Sequence, residues 1–236
     1  ASELGDAESM YYLGRIYADN KQFQEPTKAF KWVSMSAEKG HKESLYLLGK
    51  FYLNGIGVDA NSKIALSYFE KAAEKNDLKA LEALGDLYFS SDLGEANPQK
   101  ALAYYVKATM EGSTTSLVKI SEMYFSGIGV EKNIGESIKL LKEAARRGDL
   151  NAMNRLGVMY SRGVAVKTDL EQAYKWYLKS AKKGDSKGMF GVSMALFLGK
   201  GVNKNQDEAV KWMKKAASKG HKTAQKMLKD SGFIEQ

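Results

Sequence analysis

The chain repeats itself every 36 residues, and that period decides most of what it can become. Gly112 recurs as Gly148 and Gly184, Tyr88 as Tyr124 and Tyr160, and Ala101 as Ser137, Ala173 and Ala209. Self-similarity at a fixed spacing of this size marks a solenoid, in which each repeat buries its apolar face against its neighbours. The phases run over about 5–39, 40–75, 76–111, 112–147, 148–183 and 184–219, with 220–232 as a capping helix. Repeat one is one residue shorter between Gly14 and Ala29, and its loop from Asn20 to Pro26 lacks the glycines found in the others. Register is otherwise kept, so the expectation is a single repeat domain over 1–236 with no linker and no internal boundary. Ala1 to Leu4 align with the close of a second helix at Ser36 to Lys39, which predicts a further helix pair upstream in a longer protein.

Two helices can be argued within each repeat. In the first, Ala152, Leu156 and Tyr160 recur with Met153, Gly157 and Met159 beside them, the spacing of one apolar face at 3.6 residues per turn. Gly14, Gly49, Gly85 and Gly157 fall mid-helix, where glycine costs about 1 kcal/mol against alanine. Glycine at four equivalent places, with Ser121 and Ser193 in two others, implies that two helices pass too close there for a larger side chain. The loop then reads Gly55-Ile56-Gly57-Val58, Gly127-Ile128-Gly129-Val130 and Gly199-Lys200-Gly201-Val202; repeat three lacks this signature. Asn61, Asn97, Asn133, Asp169 and Asn205 take one position that reads as the N-cap of the second helix. Pro26 and Pro98, the only prolines, fall where proline suits a helix start. Trp32, Tyr68, Tyr104, Leu140, Trp176 and Trp212 share one second-helix position and read as core.

Composition removes several classes of function. An apolar fraction of 44% is ample for a packed interior and argues against a disordered chain. With no cysteine, disulfides, thiolate zinc sites and thiol nucleophiles are all excluded. No apolar run approaches the roughly 20 residues that span a bilayer. The compartment stays open between cytoplasm and export. The net charge of +8 is uneven: residues 1–111 carry 13 basic against 16 acidic residues, and residues 112–236 carry 23 against 12. Many of those cations, such as Lys75, Arg146-Arg147, Lys182-Lys183 and Lys219, close a second helix, where they complement its C-terminus.

Ala-x-x-x-Leu-Gly-x-x-Tyr, seen at Ala80 to Tyr88 and Ala152 to Tyr160, gives a first half, and a Gly-x-Gly-Val loop follows the matching half in repeats two, four and six. Glu208-Ala209 through Trp212 to Ala216-Ala217 then completes a pattern that resembles the Sel1-like repeat, a relative of the tetratricopeptide repeat. The resemblance covers nearly the whole chain; Gly188, Ser193 and Leu196 depart from it in repeat six. It implies an all-α fold, a right-handed superhelical solenoid of antiparallel helix pairs, and a non-enzymatic adaptor or scaffold. Proteins of that family include degradation adaptors of the endoplasmic reticulum, chitin synthase activators, bacterial effectors and exopolysaccharide-secretion components. A secreted effector or a periplasmic envelope component is therefore one alternative. An electrostatic binder of an acidic surface or nucleic acid, using the basic C-terminal half, is another.

Residues that the repeat does not dictate carry the information about a partner. The third, sixth, tenth, thirteenth and fourteenth positions after each leading glycine lie opposite the core face at 100° per residue. In a solenoid of this family they line the concave surface. The stripe yields Tyr11, Arg15, Tyr46, Lys50, Leu53, Glu82, Asp86, Phe89, Glu122, Phe125, Asn154, Arg162, Phe190 and Phe197 as candidate partner-binding residues. Aromatics flanked by charge are the usual anchors of a protein interface. The thirteenth position (Leu53, Phe89, Phe125, Phe197) reads equally as exposed or as sealed by the neighbouring repeat, whereas Tyr11 and Tyr46 read as binding residues. The expected partner is a protein or peptide, oriented by Arg15, Lys50, Asp86 and Glu122.

Nothing converges on catalysis, and no cofactor is expected. His41 and His221 share a helix-start slot with Asp6, Asp77, Asp149 and Asp185. The Gly-x-Gly loops lack the third glycine and preceding strand of a dinucleotide site, and Gly199-Lys200-Gly201 is no phosphate loop. Some cysteine-rich relatives have been described as β-lactamases, but this chain has none of those cysteines and no Ser-x-x-Lys set in a plausible cleft.

Overall fold

Helices in the computed structural model begin where side chains can satisfy their free amides. The structure describes residues 6–19, 25–90 and 95–231. Among them, Asn61, Asn97, Asn133, Asp169 and Asn205 each accept from the backbone N–H three residues on, as the sequence leads one to expect. The position before most first helices works the same way: Asp77, Asp149, Asp185 and His221 accept from Ala80, Ala152, Gly188 and Ala224, whereas His41 makes no such bond at the start of its helix. Each such cap contributes about 1 kcal/mol. Pro26 and Pro98 occupy the first turn of their helices.

The helices are α1 (Ala7–Asp19), α2 (Pro26–Glu38), α3 (Lys42–Asn54), α4 (Ser62–Ala73), α5 (Leu78–Phe89), α6 (Pro98–Met110) and α7 (Thr114–Ser126). They continue as α8 (Ile134–Arg146), α9 (Leu150–Arg162), α10 (Leu170–Lys182), α11 (Ser186–Leu198), α12 (Gln206–Ser218) and α13 (Lys222–Asp230). No strand occurs among the described residues. The loop of each pair closes with one backbone bond, from the amide of the N-cap residue to the carbonyl at the end of the preceding helix. Asn61 to Tyr52 is 2.7 Å, Asp169 to Tyr160 is 2.9 Å, and Asn205 to Leu196 is 3.0 Å. Leu196 replaces the usual tyrosine without changing that bond. The expectations placed on Ala1 to Leu4, on Asn20 to Gln24 and on the missing loop signature at Ser91 to Gly94 lie outside the described residues.

Two compact units result. The first comprises residues 1–116 with 128–131, and the second residues 117–127 with 132–236. In the first, α1 packs on α2, α2 on α3, and so on through α6. Its interior is built from Val33, Leu45, Leu48 and Phe51, then Phe69, Leu84 and Leu87. In the second, α8 packs on α9, and packing continues in order to α13. There Leu141, Met153 and Leu156 form one cluster, and Met189, Val192, Leu196, Met213 and Leu228 another.

Small residues set the approach of the two helices in a pair. A Cβ added at Gly157 would lie 2.5 Å from Tyr177, one at Gly49 2.7 Å from Phe69, and one at Gly14 2.5 Å from Val33. At Gly85 it would overlap the ring of Tyr105. Where the facing residue is Leu141 or Met213 instead, the slot holds serine. The Ser121 hydroxyl donates to the Ser137 carbonyl at 2.9 Å, and Ser193 to Ala209 at 2.7 Å. Rings therefore face glycine and aliphatic chains face serine, except at Val33, so one volume is filled in two ways.

Candidate functional site

The first-helix face of the first unit carries a groove of about 690 Å³ lined by Tyr11, Arg15, Glu43, Tyr46, Lys50, Asp77 and Lys79, among others. Its charges are of both signs, and Arg15 is paired with Asp19. Arg15 donates to Asp19 at 3.2 Å and lies 5.8 Å from the Tyr11 ring centre. Tyr11 and Tyr46 are half-buried: Tyr11 rests against Tyr12 and His41 at 5.4 and 5.1 Å, and Tyr46 against Phe69 at 5.7 Å. Burial raises the Tyr46 phenol above its ordinary pKa, with Asp77 and Glu82 adding to the effect. Asp86 accepts from the Tyr105 hydroxyl at 2.6 Å, and Glu82 from Ser113.

A different groove forms in the second unit, about 500 Å³ in volume, between α9, α10 and α11 with His221 at one side. Asn154, Val158, Ser161 and Arg162 enter from α9, and Lys187, Phe190 and Met194 from α11. All seven belong to the stripe defined by helical spacing. The floor adds Leu170, Tyr174 and Tyr177 from α10 and Leu198 from α11. Burial raises the Tyr177 phenol, and the Ser161 hydroxyl and Arg162 guanidinium pull it the other way. Phe190 stacks on His221 with ring centres 4.5 Å apart and planes 14° apart.

Asn154 is the most enclosed of the candidates, at 9% exposure. Its Nδ2 donates to Asp185 at 2.8 Å, and its Oδ1 is buried with no partner. The same oxygen of Asp185, Oδ2, accepts also from Ser180 Oγ at 3.1 Å and Gly188 N at 2.7 Å. A second surface of the same unit holds Glu122, Phe125, Asn154 and Arg155, with Glu122 ion-paired to Arg155.

The thirteenth position, ambiguous in sequence, is resolved outward in three of its four members. Phe89, Phe125 and Phe197 are 37, 38 and 46% exposed, while Leu53 is half-buried. The second-helix aromatics, read as core, are instead half-buried. Tyr68 stacks on Tyr52 and Tyr104 on Tyr88, each at 5.6 Å. Lys71, Lys107, Lys179 and Lys215 lie over Tyr68, Tyr104, Trp176 and Trp212. Their partner is a lysine one turn on in the same helix, which leaves that face half in water. Arg147, Lys183 and Lys219 stand at the C-caps of α8, α10 and α12, so part of the basic excess does serve helix ends.

Sequence reasoning missed the contributions of α10 to the second groove, because the stripe was drawn on first helices alone. It also missed His221 there. The ring both caps α13, accepting from Ala224 N at 3.2 Å, and faces Phe190. His41 holds the N-cap place of α3 with Nδ1 3.0 Å from Ser44 Oγ. Among the described residues no group of three or more His, Asp or Glu side chains is placed to hold a metal ion. No described helix is long and apolar enough to cross a membrane.

The family model for the Sel1 repeat matches residues 7–41, 42–77, 78–113, 115–149, 150–185 and 186–221. A Sel1 repeat protein from Oxalobacter formigenes is 27% identical with a TM-score of 0.80, over 90% of this chain and 88% of that one. A protective antigen of uropathogenic Escherichia coli, described as displaying an SLR fold, is 28% identical with a TM-score of 0.79 over 94% of this chain. The chain spans about half the length of that antigen, 48%. The immunity protein PA5088 from Pseudomonas aeruginosa, at 19% identity and a TM-score of 0.56 over 98% of this chain and 83% of that one, shares the fold alone. The search of curated proteins returned no match.

Proposed function

Because the chain belongs to the Sel1 repeat family, whose members commonly serve as protein-interaction scaffolds, we propose that it is a non-enzymatic adaptor holding a protein or peptide along its first-helix face. The observation that carries this reading is the set of aromatic side chains left facing outward at positions the repeat does not require. Phe89, Phe125 and Phe197 each keep more than a third of their surface in water. A partner that covers them gains apolar burial at about 25 cal/mol per Å². Charged residues of the same stripe, Arg15, Lys50, Asp86 and Glu122, set its direction, and the half-buried Tyr11 and Tyr46 add aromatic surface. The six family matches keep an almost unbroken phase, which supports treating the repeats as one domain.

The test is a pull-down from a cognate lysate with the wild-type chain and with Tyr46→Ala combined with Phe89→Ala. Captured partners should fall several-fold in the variant while its helical circular dichroism is unchanged. Equal capture by both sinks the reading. Added salt separates it from nucleic-acid binding, which weakens steeply with ionic strength.

A further inference from the structure

The groove of the second unit says more about its occupant than the family does. Its floor is apolar, with Leu170, Tyr174, Tyr177, Phe190 and Met194 contributing. Its charged lining is of one sign: Arg162, Lys187 and Lys200 are present and no carboxylate is. All three cations are exposed, and none of them forms an ion pair among the described residues. Asp185, a carboxylate next to the groove, accepts from Asn154, Ser180 and Gly188 through its Oδ2, and Glu208 acts on Tyr174 from outside the lining. The bond from the Asn154 amide nitrogen to Asp185 leaves the amide oxygen of Asn154 as the atom without a partner.

We propose that this groove takes an acidic peptide segment: one large apolar side chain fills the cavity, and flanking carboxylates meet Arg162, Lys187 and Lys200. The inference rests on the reading that the first-helix face holds a protein or peptide, and it specifies the chemistry. A peptide fits better than a nucleic acid because two of the groove's three phenyl-type rings are already engaged: Tyr177 is packed against Gly157 and Gly191, and Phe190 is stacked on His221. Bases need open stacking faces. The excess of 23 basic over 12 acidic residues in 112–236 draws an acidic chain toward this unit.

The experiment pans a library of short random peptides on the immobilised full chain and on the same chain carrying Arg162→Glu with Lys187→Glu. Both positions are exposed, and circular dichroism verifies that the variant is folded. Recovered peptides should share a large apolar residue flanked by Asp or Glu. Fluorescein-labelled copies should bind the charge-reversed chain at least about tenfold more weakly. They should also lose affinity with Phe190→Ala and keep it with Tyr46→Ala. Recovered peptides without acidic residues, or equal binding to the charge-reversed chain, overturn the proposal and leave peptide binding by the first-helix face standing. No enrichment on the wild-type chain removes both. If a random single-stranded oligonucleotide binds and charge reversal abolishes it while no peptide is enriched, the occupant is a nucleic acid and the proposal is wrong.

Discussion

In the first unit the groove residues answer one another: Arg15 bonds Asp19, Tyr11 leans on His41, and Asp77, Glu43, Lys42 and Lys79 mix both signs along the wall. In the second unit the equivalent positions hold Asn154, Val158, Lys187 and Phe190 over an apolar floor, and the charge is all positive. The frames beneath the two are alike, with polar caps at most helix starts and small slots between paired helices; Glu25 and His41 of the first unit make no side-chain cap bond, and His221 takes the place of Asp in the second. A repeat therefore fixes where a side chain stands and leaves its chemistry free. That separation can be attacked from both sides.

The largest effect tests the common frame. Gly157→Val and Gly49→Val should each cost about 3 kcal/mol by urea denaturation, since the new Cβ meets a ring that cannot retreat. Combining Gly157→Ser with Tyr177→Leu copies the serine and leucine found at Ser121 and Leu141, and should recover a good part of that loss. No recovery means that the ring and the slot are not one unit of volume. Asn61→Ala and Asn205→Ala come next, each losing about 1 kcal/mol and by similar amounts in the two units. A gap between them larger than the cap itself breaks the claim of a shared frame.

Smaller effects probe where the units differ. Ala165 sits at φ +64° where Gly57, Gly129 and Gly201 sit elsewhere. A left-handed alanine costs roughly 1–2 kcal/mol, and glycine gives back part of that through unfolded-chain entropy. Ala165→Gly should thus stabilise by about 0.5 kcal/mol. Gly57→Ala, whose Cβ would overlap the Pro26 carbonyl, should do the reverse and by more. The smallest effect concerns Asp77, buried at the start of α5. Burial raises its carboxyl above the ordinary range, and the bond from Ala80 N and nearby lysines oppose this. A carboxyl with a raised folded pKa stabilises the fold below its unfolded value and loses that contribution as pH rises through the folded one. Asp77→Asn keeps an acceptor for Ala80 and removes the titration. The variant's stability relative to wild type should therefore improve as pH climbs through the carboxylate range. A relative decline over that range contradicts burial as the dominant cause.

Helices, loops, caps and glycine slots were legible in the sequence because each depends on contacts within about one repeat, and the period displays the same solution six times. The candidate surface was legible only as a stripe. Whether Phe89 faces water depends on a repeat it does not belong to, and Tyr46 is half-buried because Phe69, a residue of α4, meets its ring. Asn154 looked like an exposed polar residue in a binding stripe. Its burial comes from Asp185, 31 residues on, whose own capping duty gave no hint of a second bond. Residues of α10 entered the second groove unannounced, since their spacing matches that of any helix packed on two others.

Tyr177 stands against Gly157 of α9 on one side and Gly191 of α11 on the other, within 2.5 and 2.6 Å of where their Cβ atoms would be. A single phenol ring is thus the shim between two backbones, and its thickness gauges the slit above it. Widening or narrowing that slit by exchanging the shim would retune which molecules enter while every residue at the rim stayed as it is.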